Sequence, residues 1–283
     1  MNKVFDIVKS TILDKLNEAI KNNEPFQWVK PWNGMTFPYN FVSKKRYNGI
    51  NLVTLPFGGY YMTFNQIKDK KGKIRKGSKG FPVFFWKFNE VEDEENPDEV
   101  KTVPIFRYYK VFHQSDIEGI DFDVDINEFE EDEILEANNV IDKYSSICPI
   151  LYREGVNRAF YSPTSDSITL PTKGEFNSLN GFYATAFHEM VHSTGHKDRL
   201  DRLTKGTRFG DTEYSKEELV AEIGSCILRA YLNVNDSNCD NNSISYLKGW
   251  YSYIKKEGGN VIVSAAQQSQ KACDYILENV SNI

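Results

Sequence analysis

The stretch A-T-A-F-H-E-M-V-H-S-T-G-H, residues 184–196, decides the fold of the second half of this 283-residue chain. It places His188 and His192 four residues apart, with Glu189 next to the first histidine. Residues four apart lie on one face of an α-helix, so both imidazoles can bind one metal ion. In such a zinc site the glutamate can act as general base on the metal-bound water. We therefore predict a helix over residues 178–194 that holds two metal ligands.

The motif supplies two ligands, whereas catalytic zinc usually takes three protein ligands and a water molecule. Three carboxylates compete for the third position, in the order Glu218, Glu222 and Asp198. Glu218 and Glu222 lie one turn apart on a helix predicted to start at Ser215, so one can bind the metal while the other holds a histidine. Asp198 follows a glycine turn at the spacing of zincins that use a late histidine. Ser215 and Glu218 also fit a capping box, which would engage the Glu218 carboxylate instead.

A β-hairpin is expected directly before the motif helix. Residues 159–162 and 167–171 are strand-like and are separated by a turn that contains a proline. This order is typical of zincins, in which an edge strand lies beside the metal and can hold an extended substrate. The side chains that could donate a hydrogen bond to a transition-state oxyanion are Tyr161, His196 and Tyr214.

The charges of the chain are unevenly distributed. The net charge is −6, yet residues 1–90 contain 16 Lys and Arg against 6 Asp and Glu, a balance of +10. The rest of the chain contains 18 basic residues against 34 acidic ones, a balance of −16. This asymmetry predicts that the N-terminal part binds a polyanion while the C-terminal part does not.

The basic N-terminal part also interleaves cations with aromatic rings. This pattern suits single-stranded DNA bound without sequence specificity, because bases stack on rings while the phosphates follow a positive groove. The alternative is a solvated basic loop beside an aromatic core. Within K-K-R-Y-N-G-I-N, residues 44–51, the Asn-Gly pair also fits a hairpin turn. The predicted DNA-binding residues are Trp28, Trp32, Lys44, Lys45, Arg46, Tyr47, Asn48, Lys73, Arg75, Lys76 and Lys79.

Apolar spacing and β-prone runs predict an α+β fold in both halves, with a small antiparallel sheet in the first. The chain begins with an amphipathic helix over residues 3–21. Acidic residues 90–99 are expected to form a solvated tip between two strands, and acidic residues 115–133 suggest a linker. The predicted strands are 60–64, 81–88 and 103–111, and a further helix is predicted over 134–144. The resulting division is a DNA-binding domain (1–120), a linker (121–135) and a metal-site domain (136–283).

The composition excludes several classes of protein. A hydrophobic content of 40% and an aromatic content of 14% are typical of a globular chain, and no apolar run of about 18 residues could span a membrane. The first residues lack the apolar core of a signal peptide. The four cysteines form no C-x-x-C pair and are expected to be free thiols in a reducing compartment. We therefore expect a cytoplasmic protein with no membrane partner. These cysteines are Cys148, Cys226, Cys239 and Cys273.

Several blocks, found in one order, resemble the anti-restriction proteins of the ArdC type, which plasmids and phages carry. In the N-terminal half these blocks are P-W-N-G, Y-N-G-I-N, M-T-F-N-Q and R-K-G-S-K-G. In the C-terminal half they are Y-S-P-T-S-D-S-I-T-L-P, the motif with its continuation K-D-R-L-D-R, and E-E-L-V-A-E-I-G. The resemblance covers almost the whole chain. It implies a single-stranded-DNA-binding domain joined to a zincin metallopeptidase-like domain, and a protein that shields incoming plasmid DNA from host restriction.

The resemblance also implies roles for single residues. His188 and His192 correspond to metal ligands, and Glu189 corresponds to the catalytic acid/base. The Glu-x-x-Ala pattern of related zincins fits residues 218–221 and favours Glu218 as third ligand, whereas Asp198 matches no fixed feature of the family. Because sites of two histidines and one carboxylate accept several divalent ions, Zn²⁺ is expected and Mn²⁺ is an alternative.

Two main functions are therefore expected. The first is an anti-restriction protein of a mobile element that binds single-stranded DNA and contains a zinc metallopeptidase-like domain. The alternative is a zinc-dependent protease that cleaves a host or element regulatory protein and uses the N-terminal domain for targeting. A third possibility is an interaction module whose metal only stabilises the fold.

Overall fold

Helices and strands share the chain in the predicted α+β arrangement. The computed structural model describes residues 3–24, 26, 28, 37–56, 58–92, 100–122, 132–156, 158–203, 212–232, 234 and 244–281. The helices are α1 (Lys3–Asn22), α2 (Ile50–Thr54), α3 (Phe64–Asp69), α4 (Asp132–Tyr144), α5 (Leu179–Thr194), α6 (Thr212–Tyr231), α7 (Ile244–Glu257) and α8 (Gly259–Ser281). The strands are β1 (Pro38–Asn40), β2 (Gly59–Thr63), β3 (Lys73–Ile74), β4 (Phe81–Glu92), β5 (Val100–His113), β6 (Ile117–Glu118), β7 (Ile150–Arg153), β8 (Phe160–Ser162) and β9 (Ser167–Pro171).

The strands form three sheets. A four-stranded sheet has the order β1-β2-β5-β4, in which β1 and β2 are parallel and the other pairs are antiparallel. Its longest part is the ribbon of β4 and β5, which pair from Phe81 opposite Val111 to Glu92 opposite Val100. Strands β3 and β6 form a small antiparallel pair, and the third sheet has the order β7-β9-β8. The predicted strands at 60–64, 81–88 and 103–111 are confirmed as β2, β4 and β5.

Helix α1 belongs to the same hydrophobic core as the C-terminal helices α7 and α8. The Phe5 ring of α1 stacks on Phe106 of β5, with ring centroids 5.0 Å apart. At Gly259, the first residue of α8, any Cβ would collide with the carbonyl oxygen of Phe5, so this close approach requires glycine. One core therefore contains residues from both sides of the predicted linker at 121–135, from the first helix to the last. The buried side chains of α1 follow helical spacing and are Val4, Val8, Ile12, Leu16 and Ala19.

The turn in the basic segment 44–51 lies earlier than predicted. The Lys44 N–H donates to the Asn40 carbonyl and the Asn40 N–H donates to the Lys45 carbonyl, so the chain reverses between these residues. Asn48 and Gly49 instead lead into α2, for which Gly49 is the N-cap. The prediction of an Asn-Gly hairpin is therefore wrong, because a helix and not a second strand follows the pair.

The acidic segments are only partly described. Residues 93–99, the centre of the predicted tip, and residues 123–131, most of the predicted linker, lie outside the described residues. Strands β4 and β5 on either side of the tip do pair, as the prediction requires. Within the acidic segment 115–133, β6 pairs with β3, and α4 already begins at Asp132. Residues 132–135 are therefore helical and not part of a linker.

Candidate metal centre and basic surface

Helix α5 contains the motif, and its ends agree with the predicted bounds. Ser178 is the N-cap and accepts a hydrogen bond from the Gly181 N–H at 3.0 Å, while Gly195 ends the helix. The side of α5 away from the histidines is fully buried, and it fixes the rotation of the helix about its axis. Its buried side chains include Phe182, Tyr183, Ala186, Phe187 and Met190.

Helix α6 delivers the third side chain of the centre. Gly224 lets α6 lie close to α5, because a Cβ at this position would stand 2.8 Å from Cγ2 of Val191. The Nε2 atoms of His188 and His192 are 3.1 Å apart, and the Glu218 carboxylate oxygens lie 3.6 Å and 3.4 Å from them, respectively. One ligand atom from each residue lies within 4.8 Å of the others. Because tetrahedral ligands about 2 Å from a metal stand about 3.3 Å apart, this donor set fits a divalent ion.

The electrostatics of the three groups favour a cation between them. Burial opposes the ionisation of Glu218, yet hydrogen bonds from both histidines hold its pKa well below the usual range. Burial also opposes the charging of His192, but its contacts with Glu217 and Glu218 raise its pKa to about 10. The pKa of His188 is raised as well, against its burial, through its contact with Glu218. These carboxylates therefore stabilise positive charge, which protons supply when no metal is bound and a metal can supply instead.

Two residues outside the predicted set hold His192 in place. The Glu217 carboxylate lies 3.1 Å from Nδ1 of His192. Arg202 donates to both oxygens of this carboxylate, at 2.7 Å and 2.8 Å, and also to the Val191 carbonyl. These contacts leave Nε2 of His192 directed at the centre, as carboxylates that bond to a metal-binding histidine do in metal sites. The helical spacing singles out the face of Glu218 and Glu222, and the one sequence signal for Glu217 is its place next to Glu218.

The remaining predicted carboxylates occupy different positions. Glu222 lies 4.0 Å from Nδ1 of His188, on the side away from the cluster. Asp198, the last-ranked of the three candidate ligands, is 72% exposed, contacts His196 and lies outside the cluster. The capping box is also wrong, because α6 begins at Thr212 and Ser215 is already inside the helix. The Glu218 carboxylate is therefore available to the histidines.

Glu189 is buried between α5 and the edge strand β8. Its Oε2 accepts a hydrogen bond of 2.7 Å from the Tyr161 backbone N–H. Strand β8 pairs antiparallel with β9, which confirms the predicted hairpin. The edge of the sheet and the catalytic glutamate predicted from the sequence thus line the same cleft of about 1240 Å³ as the two histidines.

The wall of this cleft contains a hydrogen-bonded cluster. The Tyr161 hydroxyl donates to Asp166 at 2.8 Å, and Arg199 donates to both oxygens of the same carboxylate. Burial and the contact with Asp166 raise the pKa of Tyr161, so its hydroxyl stays protonated and engaged. His196 lines the cleft, with Nδ1 4.0 Å from Asp166. Of the three predicted oxyanion donors, Tyr161 is therefore occupied, His196 faces the cleft, and the Tyr214 side chain lies outside the described residues.

Two predicted DNA-binding rings are buried. Trp28 is only 2% exposed and packs edge-on against Phe26 and Trp250, with ring centroids 5.0 Å and 6.1 Å away. Tyr47 is buried beside Tyr61, and burial raises the pKa of its hydroxyl. The prediction that Trp28 and Tyr47 stack on bases is contradicted, because neither presents a ring face to solvent. The predicted residue Trp32 lies outside the described residues.

Most of the predicted cations are exposed, although some have partners within the protein. The Arg46 guanidinium is half-buried between the rings of Phe37 and Tyr231, 4.4 Å and 3.9 Å from their centroids, and burial lowers its pKa. Lys44 lies over the Phe41 ring at 4.3 Å, and Arg75 forms an ion pair with Glu118 at 3.3 Å. The exposed residues among the predicted DNA-binding residues are Lys44, Lys45, Asn48, Lys73, Arg75, Lys76 and Lys79.

Two known family models match separate parts of the chain. Residues 6–112 match the profile described as the N-terminal domain of anti-restriction factor ArdC. Residues 140–268 match the profile described as a zincin-like metallopeptidase. No helix among the described residues has the length and apolar character needed to cross a membrane.

Individual relatives cover nearly the whole chain. A DNA primase TraC of Escherichia coli is 33% identical over 94% of this chain, which spans only 26% of that primase. The protein y4eC of Sinorhizobium fredii is 27% identical over 96% of the chain and 91% of its own length. The metal-free crystal structure of the antirestriction protein ArdC from plasmid R388 is 32% identical, covers 99% of this chain, and superposes with a TM-score of 0.73. The Mn(II)-bound structure of the same protein is similar to the same degree, with 31% identity and a TM-score of 0.73.

Proposed function

Because the chain belongs to the ArdC family of anti-restriction proteins, we propose that it binds single-stranded DNA, holds a divalent metal ion, and protects incoming DNA from restriction. The observation that best supports this function is the match of 32% identity over 99% of the chain to ArdC of plasmid R388. The relatives named DNA primase TraC are much longer, and this chain spans only 26% and 19% of their lengths.

Single-stranded DNA binding is supported by the distribution of charge. The protein has a net charge of −6, so the molecule as a whole repels DNA. The cations that could offset this repulsion lie at the surface of the N-terminal half, where Lys45, Lys73, Lys76 and Lys79 are exposed. Affinity should therefore depend on a local contact surface and fall steeply with salt.

Metal binding is supported by the donor set of His188, His192 and Glu218. Two imidazoles and one carboxylate accept Zn²⁺ as well as Mn²⁺. The ArdC of plasmid R388 has been crystallised with Mn(II), and we expect this chain to bind the same ion or Zn²⁺. A bound divalent ion supplies Lewis acidity and lowers the pKa of a water molecule in the cleft.

The roles of the neighbouring residues follow from their contacts. Glu189 is held by the Tyr161 N–H through one oxygen, so the other oxygen can accept a proton from a water molecule in the cleft. Glu217 keeps His192 oriented, and Arg202 keeps Glu217 ionised by donating to both of its oxygens. The edge strand β8 can pair with an extended segment of a protein substrate, which supports peptidase activity as the second candidate function.

Two measurements test the proposal. Labelled single-stranded oligonucleotides should bind the purified protein at low salt, and the logarithm of the affinity should fall linearly with the logarithm of salt concentration. Transfer of an unmodified plasmid into a restricting host should become more efficient when the protein is present. Glu189→Gln separates the two functions, because protection that survives the substitution does not depend on peptidase chemistry. The absence of any single-strand binding at low salt would refute the DNA-binding function.

A further inference from the structure

One face of the β4–β5 ribbon places exposed rings and cations side by side. Phe85 and Tyr109 are each 39% exposed, and Lys87 and Arg107 are exposed as well. Phe85 lies directly opposite Arg107 in the register. Tyr109 is opposite Val83 and Lys87 is opposite Ile105, so both are diagonal neighbours on the same face. We refer to Phe85, Lys87, Arg107 and Tyr109 as the ribbon face.

The two rings of the ribbon face contact each other, and Tyr109 also lies beside a buried tyrosine. Their centroids are 5.5 Å apart and their planes are tilted by 57°, so the two rings contact each other and both remain partly exposed. Tyr109 lies beside the buried Tyr47, whose hydroxyl accepts a hydrogen bond from the Asn40 side chain at 3.4 Å. Tyr47 therefore acts on this surface as a buried support and not as a stacking ring. Such preorganisation lowers the entropy lost when a ligand binds.

The opposite face of the ribbon is not built in this way. Phe84 and Phe106 on that face are buried in the main core, and Trp86 packs against Phe106 with centroids 4.8 Å apart. The exposed rings Tyr108 and Phe88 are separated by this packed pair, because they lie two rows apart in the register. Only the ribbon face thus combines adjacent exposed rings with cations among the described residues of the two strands.

The charge of the ribbon face suits a polyanion. Among the side chains that the structure describes, no carboxylate forms an ion pair with Lys87 or Arg107. The other residues that share this face, from Phe81 to Asn89 and from Val103 to Val111, are apolar or neutral. Phosphate groups would neutralise both cations, while an apolar protein partner would bury them at a cost.

Resting on the proposed binding of single-stranded DNA, we propose that the strand crosses the ribbon face. Two bases stack on Phe85 and Tyr109, and Arg107 and Lys87 bind the phosphates beside them. Stacking on exposed sheet aromatics accommodates two or three bases and tolerates any sequence. The proposed contact surface therefore lies on a sheet. It is separate from the basic loop at 69–80, which the composition favours as the DNA-binding site.

The test uses the full chain and fluorescence anisotropy with labelled oligo(dT). Phe85→Leu and Tyr109→Leu remove a ring but keep an apolar side chain, and each should weaken binding roughly tenfold. Phe88→Leu is the matched control, because it removes a more exposed ring, 67% exposed, from the opposite face of the same ribbon. The control should bind within about twofold of the wild-type protein. Far-UV circular dichroism and urea unfolding confirm that all variants fold.

A second measurement locates the strand without substitutions. Oligonucleotides that contain 5-iodouracil should crosslink under ultraviolet light to peptides containing Phe85 or Tyr109. Crosslinks confined to residues 69–80, or ring variants that bind like wild type, would overturn the proposed path while single-strand binding itself stands. No binding by the wild-type protein would overturn the proposed function as well, so the two failures are distinguishable.

Discussion

The metal centre and the ribbon face differ in how their side chains reach their positions. At the centre, His188 and His192 are placed by the periodicity of one helix, and every ring nitrogen faces a partner. At the ribbon face, the rings are placed by the pairing of two strands, and Tyr47, which the sequence predicts to stack on DNA, is buried beside it. Local spacing thus predicts the first site, while composition alone does not separate core rings from surface rings in the second.

The largest effect should come from a ring that was predicted to bind DNA and is buried. Trp28→Ala should lower the free energy of unfolding by about 3–5 kcal/mol, because it empties a site packed against Phe26 and Trp250. Urea unfolding followed by far-UV circular dichroism measures the change. The folded variant should retain its affinity for single-stranded DNA.

The control for this substitution is Phe88→Ala, which removes an exposed ring. It should change the free energy of unfolding by no more than about 0.5 kcal/mol. If Trp28→Ala instead left stability unchanged and abolished DNA binding, the ring would belong to the surface. The contrast between buried and exposed rings in the N-terminal half would then fail.

The next effect concerns the third ligand. Glu218→Gln should weaken the binding of Mn²⁺ and Zn²⁺ by more than about 100-fold, which exceeds the usual loss when a residue that only orients a ligand is replaced. The substitution removes the carboxylate from between the two Nε2 atoms, and an amide is a poorer ligand for a divalent ion. Isothermal titration with each metal measures the affinity, and metal analysis of the purified variant measures occupancy.

Two further variants sharpen this result. Glu217→Gln should weaken metal binding by about 10- to 100-fold, because His192 loses its orienting partner but remains a ligand. Asp198→Asn should leave the affinity unchanged, because Asp198 is exposed and outside the cluster. Equal losses for Glu217→Gln and Glu218→Gln would mean that both glutamates ligate the metal.

How much of the centre could be predicted depends on distance along the chain. The bounds of α5 follow from its local end signals, Ser178 and Gly195, and the two histidines follow from the helical repeat. Glu217 and Arg202 could not be assigned, because their contact depends on how α6 returns to α5 after residues 204–211. Because the sequence predicts that α6 starts at Ser215, Glu218 also fits a capping role, which the observed start at Thr212 excludes.

The N-terminal half was predictable in its elements but less so in its surface. Helix α1 and strands β2, β4 and β5 follow from periodicity and β-prone runs. Whether a ring is buried depends on tertiary partners, and for Trp28 the partner is Trp250 in α7. Helix α1 shares one core with the C-terminal helices, and no local sequence pattern predicts this. The apolar stripe of α1 shows that the helix packs against something, but it does not show against which element.

A smaller loss of stability is expected from a substitution in the wall of the cleft. Asp166→Asn should lower the free energy of unfolding at pH 7 by about 1–2 kcal/mol, because the nearly buried Arg199 loses its charged acceptor. Hydrogen bonds from Arg199 hold the pKa of Asp166 below its ordinary value. A carboxyl group of this kind stabilises the fold above its unfolded pKa of about 3.9, and the stabilisation is lost as pH falls through the lower folded pKa.

The lowered pKa of Asp166 determines how the stability difference between wild type and variant depends on pH. The difference between wild type and Asp166→Asn should be constant between about pH 5 and pH 7 and should shrink below about pH 4. Urea unfolding at each pH measures it. A difference that persists unchanged at about pH 2 would mean that packing, and not the charge of Asp166, stabilises the wall.

The smallest effect should come from the basic loop. Lys73, Lys76 and Lys79 are exposed, so they can attract phosphates without ordering them as the ribbon face does. Replacing all three with Gln should weaken oligo(dT) binding only several-fold at low salt. It should also make the plot of log affinity against log salt shallower by roughly 0.7 for each phosphate that the protein no longer neutralises.

Arg75→Gln is the matched comparison within the same loop. The Arg75 guanidinium already pairs with Glu118 at 3.3 Å, so its removal should change the salt slope less than the removal of Lys76. If the triple lysine variant instead lost more affinity than Phe85→Leu and Tyr109→Leu, long-range attraction by the loop would dominate over stacking. The N-terminal half would then resemble a diffuse basic surface, and the contrast with the closely built metal centre would become sharper.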